Sequence, residues 1–197
     1  MLIAGIVTEN EGHALMLAAE QARQLFVRSG AREWKIDCEL TSNLHFEADR
    51  QPAICIVSLL REVDSDPMDR VRMRLTDQMG KFDRRRTAVY LCTIFRACEN
   101  DAPLLERIRR LNLMAANLSH DLDIGVIDFD RQFADIGART LQTSYRLEGG
   151  TTREIAAYTI LKTLLASGAF DGHVDDETIE KARAMYDRAS KANAVTA

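Results

Sequence analysis

The chain has 197 residues, 46% hydrophobic and 28% charged, with 3 prolines and 10 glycines, a composition that excludes disordered, collagenous and low-complexity proteins. Its 26 basic and 30 acidic residues leave a net charge of −4 and a pI near 5.6, which argues against a protein built to neutralise phosphates. No nucleic-acid partner is expected. The apolar start, Met1 to Val7, is shorter than a signal or membrane segment, so no membrane association is expected either.

Apolar runs alternate with helix-period segments, the sequence form of a parallel sheet covered by helices. Leu2 to Val7 reads as the first strand, followed by a turn at Thr8 to Gly12. Ala14, Leu15, Ala18, Ala22, Leu25 and Phe26 then recur at helical spacing, which predicts a helix from Gly12 to Arg28 ended by Gly30. Trp34, Ile36 and Cys38 alternate with charged residues and predict a one-sided strand near a sheet edge. Ala53 to Leu60 and Ala88 to Phe95 are almost continuously apolar and predict central strands buried on both faces.

Pro67 opens a crossover helix with Met68, Val71, Leu75 and Met79 on one face. Pro103 opens the next, striped by Leu104, Ile108, Leu111, Ala115 and Leu118. Ile124 to Phe129 predicts strand five, Ala138 to Gly150 a loop, and Thr151 to Ala166 a last core helix ended by Gly168. Five strands with their connections predict a three-layer α/β/α sandwich, flavodoxin-like, its mainly parallel sheet in the order 2-1-3-4-5. The domain is expected over residues 1–170, with a helical extension at 171–197. That extension carries Ile179, Ala182, Tyr186 and Ala189 on one face, for docking on its own domain or on a second copy in a homodimer.

Cys38, Cys55, Cys92 and Cys98 form no CxxC pair and read as core thiols of a reducing cytoplasm. None of the four histidines stands four residues from another or beside a cysteine, so no metal site is expected. No Gly-rich phosphate loop follows the first strand, and no nucleotide or flavin cofactor is expected.

In this fold ligands sit beyond the carboxyl ends of the strands. The candidates there are Thr8 and His13 after strand one, Arg96 and Asn100 after strand four, Asp128, Asp130 and Arg131 after strand five, and Arg146 in the long loop. Asp130 is equally suited to capping a short helix, and Arg131 and Arg96 to ion pairs, with Glu99 or Asp101 as partners of Arg96. Alternatively, Arg96, Arg139 and Arg146 converge on a carboxylate or phosphate.

The stretch Arg107 to Gly137, with an asparagine-bearing helix leading into a strand that ends at Ile127 and Asp128, resembles the SGNH (GDSL) hydrolases. The helix Thr152 to Gly168 is similar to the closing segment of that family. The resemblance implies the same α/β sandwich and an esterase ancestry, with acylated saccharides or lipids as the class of substrate. The chain departs from the family at the chemistry. Where a Gly-Asp-Ser turn should supply the nucleophile it reads Ala4, Gly5, Ile6, Val7, Thr8, and where an Asp-x-x-His block should stand it reads Ser144, Tyr145, Arg146, Leu147. Cys98, Glu99, Asn100 and Asp101 resemble the family's Gly-x-Asn-Asp block but follow strand four rather than strand three.

A hydroxyl must lose its proton as it attacks, and without a positioned base the rate falls by orders of magnitude. The resemblance therefore implies a non-catalytic binding or scaffolding subunit. The alternative is an esterase with a rearranged site, Thr8 as nucleophile, His13 as base and Asn100 as oxyanion donor.

Overall fold

The computed structural model describes residues 1–31, 34–41, 51–96, 101–137 and 144–195, with side chains as far as 188. Strands β1 (Leu2–Ile6), β2 (Asp37–Leu40), β3 (Ile54–Ser58), β4 (Ala88–Cys92) and β5 (Gly125–Ile127) form one sheet in the order β2-β1-β3-β4-β5. Every pairing is parallel, with Ala4 opposite Cys55, Ile56 opposite Tyr90 and Leu91 opposite Val126. Six α-helices connect and cover these strands in the described residues: α1 (Glu9–Ser29), α2 (Met68–Gly80), α3 (Ala102–Leu122), α4 (Phe129–Asp135), α5 (Gly150–Ala166) and α6 (Asp176–Val195). This is the flavodoxin-like α/β sandwich that the alternation of apolar runs predicts.

The burial pattern follows the composition of each strand. All five residues of β3 are buried, whereas β2, at the sheet edge, is largely exposed. Helices α1, α5 and α6 pack together, as do α2 and α3. Where α1 crosses the sheet, glycines at Gly12 and Gly5 lie close against leucine side chains. A Cβ at Gly12 would stand 2.7 Å from Leu40 Cδ1, and one at Gly5 2.6 Å from Leu15 Cδ2.

Several boundaries differ from the sequence reading, with β4 ending at Cys92 and β5 spanning only Gly125–Ile127, and three of them have a local reason. Helix α1 starts at Glu9 rather than Gly12, because Thr8 and Glu11 form a capping box at its N-terminus. Strand β2 begins at Asp37, and Trp34 lies before it with its ring edge-on to Phe26 (centroids 4.4 Å apart) and Phe170 (5.6 Å). The indole is thus claimed by an aromatic cluster instead of the pleat. Strand β3 stops at Ser58, where its hydroxyl takes the Leu60 N–H at 2.9 Å and opens a 3-10 turn over Leu60–Glu62.

Helix α6 packs on its own chain. Ile179 and Ala182 are buried, Arg183 Nε donates to Leu165 O at 2.9 Å, and the Tyr186 hydroxyl donates to Tyr158 O at 3.0 Å with the two rings stacked. The seam read from Ile179, Ala182 and Tyr186 is therefore used within the chain. The Ala189 side chain lies outside the described residues. No helix among the described residues is long and apolar enough to cross a membrane.

Candidate functional site

Strands β1 and β3 lie side by side, but the chain leaves them in opposite directions across the sheet, so a crevice opens at their carboxyl ends. Thr8 ends the turn after β1 and Ser58 ends β3. Between them lies Glu11, in the first turn of α1 and only 3% exposed. Its Oε2 accepts the Thr8 backbone N–H at 2.9 Å and the Thr8 hydroxyl at 2.7 Å, and its Oε1 accepts the Ser58 hydroxyl at 2.6 Å. Burial pushes the Glu11 carboxyl above its usual range, opposed by the hydrogen bonds from Ser58 and Thr8. An ionised carboxyl can accept all three of these hydrogen bonds.

Cys92, at the end of β4, is buried beside this cluster, and burial followed by the nearby Glu11 raises its thiol well above 9.0. Burial alone lifts Cys38 to about 11, and it lifts Cys55 to about 12 against the pull of Arg84. None of these three thiols is a thiolate nucleophile at neutral pH.

Above the cluster is a cleft of about 280 Å³ lined by Thr8, Glu9, Asn10, Leu60, Asp64, Tyr145 and Arg146. Its third wall is tied to the first turn of α1, because Asn10 Nδ2 donates to Arg146 O at 3.0 Å. Arg146 Nε donates to the Tyr145 hydroxyl at 3.2 Å, and its guanidinium lies 5.4 Å from the centre of the Tyr145 ring. Leu147, in the left-handed region at φ 57°, buries its side chain directly behind them.

The structure divides the candidates between two places. Thr8 and Arg146 share the cleft over β1 and β3. His13 is exposed on α1 and makes no hydrogen bond or ion pair with a described residue, so it does not engage the Thr8 hydroxyl. Asn100 lies outside the described residues, as do Cys98, Glu99 and Arg139.

At the end of β5, Asp128 Oδ1 accepts the Thr93 hydroxyl at 2.9 Å and the Arg131 N–H at 3.1 Å, which makes Asp128, and not Asp130, the cap of α4. Asp130 takes Arg96 instead, with Nε 2.7 Å from Oδ2 and the Arg96 N–H 3.1 Å from Oδ1. Asp101 caps α3 and is no partner of Arg96. Arg131 stands 3.8 Å from Asp135. Asp128 and Arg131 line a second cleft of about 460 Å³ with Gln132, Lys162, Thr163 and Ser167.

Four residues that hold the crevice together were not among the candidates. Glu11 and Ser58 are described above. Asn112 grips the exit of β4 with both ends of its amide, accepting the Ile94 N–H and donating to Ile94 O, each at 2.8 Å. Arg107 Nη2 donates to the carbonyls of Glu62 at 2.8 Å and Asp66 at 2.7 Å, pinning the turn after β3. Glu11 had a signal, since Thr8-x-x-Glu11 is a capping-box spacing. The other three side chains act across long sequence distances and leave no local pattern.

Ser58 has a carboxyl partner but is 2% exposed, so its hydroxyl is closed to a substrate. Thr8 is half-buried and its hydroxyl is committed to Glu11. No group of three or more His, Cys, Asp or Glu side chains suited to a metal occurs among the described residues. Comparison with protein-family models, with curated proteins and with solved structures finds no match for this chain.

Proposed function

We propose that this chain is an SGNH-hydrolase-like protein that binds a small ligand in the cleft over β1 and β3 and does not hydrolyse it, acting as a binding or scaffolding subunit. One observation carries the reading. The hydroxyl at the position of that family's nucleophile, Thr8, is held at 2.7 Å by the buried Glu11 inside a capping box, and no described histidine engages it. A nucleophile needs a base aimed at its proton and a path for the substrate. Glu11 meets the first need only as part of a closed structural network.

The cleft offers carboxylates at Glu9 and Asp64, a guanidinium at Arg146 and the ring of Tyr145, a mixed polar and aromatic lining suited to a hydroxyl-rich molecule. Its about 280 Å³ limits the ligand to a small one or to one end of a larger one. An acylated saccharide, the class that the resemblance implies, fits that description. The buried thiols at Cys55 and Cys92 support a reducing, cytoplasmic setting.

The test is turnover of p-nitrophenyl acetate and of an acetylated sugar, alongside calorimetric titration with the same sugar. Binding without turnover is expected, weakened by Arg146→Ala. Turnover abolished by Thr8→Ala or His13→Ala would establish the rearranged esterase instead.

A further inference from the structure

A third concavity, of about 600 Å³, lies away from both clefts, between the last turn of α1 and one face of α6. Its α1 wall is Arg28 and Ser29. Its α6 wall is Lys181, Ala184, Met185 and Arg188, at the i, i+3, i+4, i+7 positions of a single helix face, with Glu180 at the rim. The docked seam of α6, Ile179 and Ala182, is separate from this face and already buried. The groove thus lies on a face of α6 distinct from the seam that packs on the chain. The Ser29 hydroxyl reaches Met185 Sδ at 3.6 Å and closes the floor.

The charge here runs against that of the whole chain. Three cations, Arg28, Lys181 and Arg188, face one carboxylate in a protein of net charge −4. Lys181 is paired with Glu177 at 2.6 Å, and Glu180 lies 3.7 Å from Arg183. Arg28 has no ion pair with a described residue, and Arg188 only turns back on its own helix, Nε to Ala184 O at 3.2 Å. Two guanidiniums with no carboxylate partner among the described residues therefore flank a floor of methyl and thioether groups. A bare anion would leave that apolar floor unused, whereas a peptide engages both. The seven helical steps from Lys181 to Arg188 rise about 10 Å, the length of roughly three extended residues.

We infer that this groove docks an acidic polypeptide segment, its carboxylates on Arg28 and Arg188 and an apolar side chain over Met185. The surface is independent of the cleft at Thr8, so the chain has a ligand site and a partner site at different places.

The experiment is fluorescence anisotropy of the full chain with a fluorescein-labelled peptide of alternating Glu and Leu, and with the same peptide carrying Lys for Glu. Saturable binding of the acidic peptide alone is expected, weakening with salt and falling by about ten-fold or more in the Arg28→Glu/Arg188→Glu double variant. Both arginines are exposed, and a matching circular dichroism spectrum will show that the variant is folded. Thr8→Ala should leave this binding unchanged, which keeps the outcome distinct from that of the cleft. Absence of binding, equal binding of the lysine peptide, an unaffected double variant, or full displacement by an equal concentration of inorganic phosphate would each overturn the inference.

Discussion

Ser58 and Glu11 stand 47 residues apart in the chain, yet the Ser58 hydroxyl meets the Glu11 carboxyl at 2.6 Å in the interior. Through that contact the end of β3 is tied to the start of α1, and through Thr8 to the end of β1. The carboxyl ends of the two strands that flank the crevice are therefore held by one side chain.

Ser58→Ala removes the donor to Glu11 and the acceptor of the Leu60 N–H together. Leaving two buried polar groups without partners should cost about 2–4 kcal/mol. Urea denaturation will read the loss, and Ser58→Thr, which retains a hydroxyl, should recover part of it.

Glu11→Gln tests the protonation of the buried carboxyl. Because burial raises its pKa in the folded chain, the stability linked to it is fully present below the ordinary 4.5 and is lost as pH rises through the raised value. Glutamine imitates the protonated form, with its amide N–H donating to Ser58 Oγ. The wild-type midpoint should thus fall relative to that of Glu11→Gln as pH rises from about 4.5 toward neutrality. A shift of the opposite sign would mean that the donors at Thr8 and Ser58 outweigh burial.

Asn112→Ala frees both the N–H and the C=O of Ile94 at the exit of β4. The expected loss is about 1–3 kcal/mol for the unpaired backbone groups. Hydrogen exchange should show faster opening at Ile94, and Asn112→Asp, which keeps only the acceptor, should fall between the two.

Truncation after Phe170 removes α6 and uncovers the surface that Ile179 and Ala182 bury. Loss of the buried isoleucine alone accounts for about 1.5–3 kcal/mol, and the melting temperature should drop by several degrees. Since the seam is satisfied within the chain, light scattering should show the oligomeric state unchanged by the truncation.

Much of the fold was legible because it rests on local periodicity. Residues 54–57 and 88–92 announce themselves as buried strand residues by being almost wholly apolar, and Val71, Leu75 and Met79 mark the buried face of α2. Trp34 shows the limit of that reading. Its alternation with Lys35 suits a strand, but the pocket formed by Phe26 and Phe170 offers the indole more burial than an edge strand does.

The sequence by itself determined the α/β class and the strand order through the handedness of its crossovers, because each depends on residue types at short spacing. Only the tertiary structure decided where the polar side chains are committed. Arg96 meets Asp130 across 34 residues, Asn10 meets Arg146 across 136, and Asp128 meets Thr93 across 35. Such pairs join the ends of different strands, and a hydrogen bond between distant segments leaves no periodic trace in either. Whether a charged group is free for function is set by which neighbour the fold brings within about 3 Å of it.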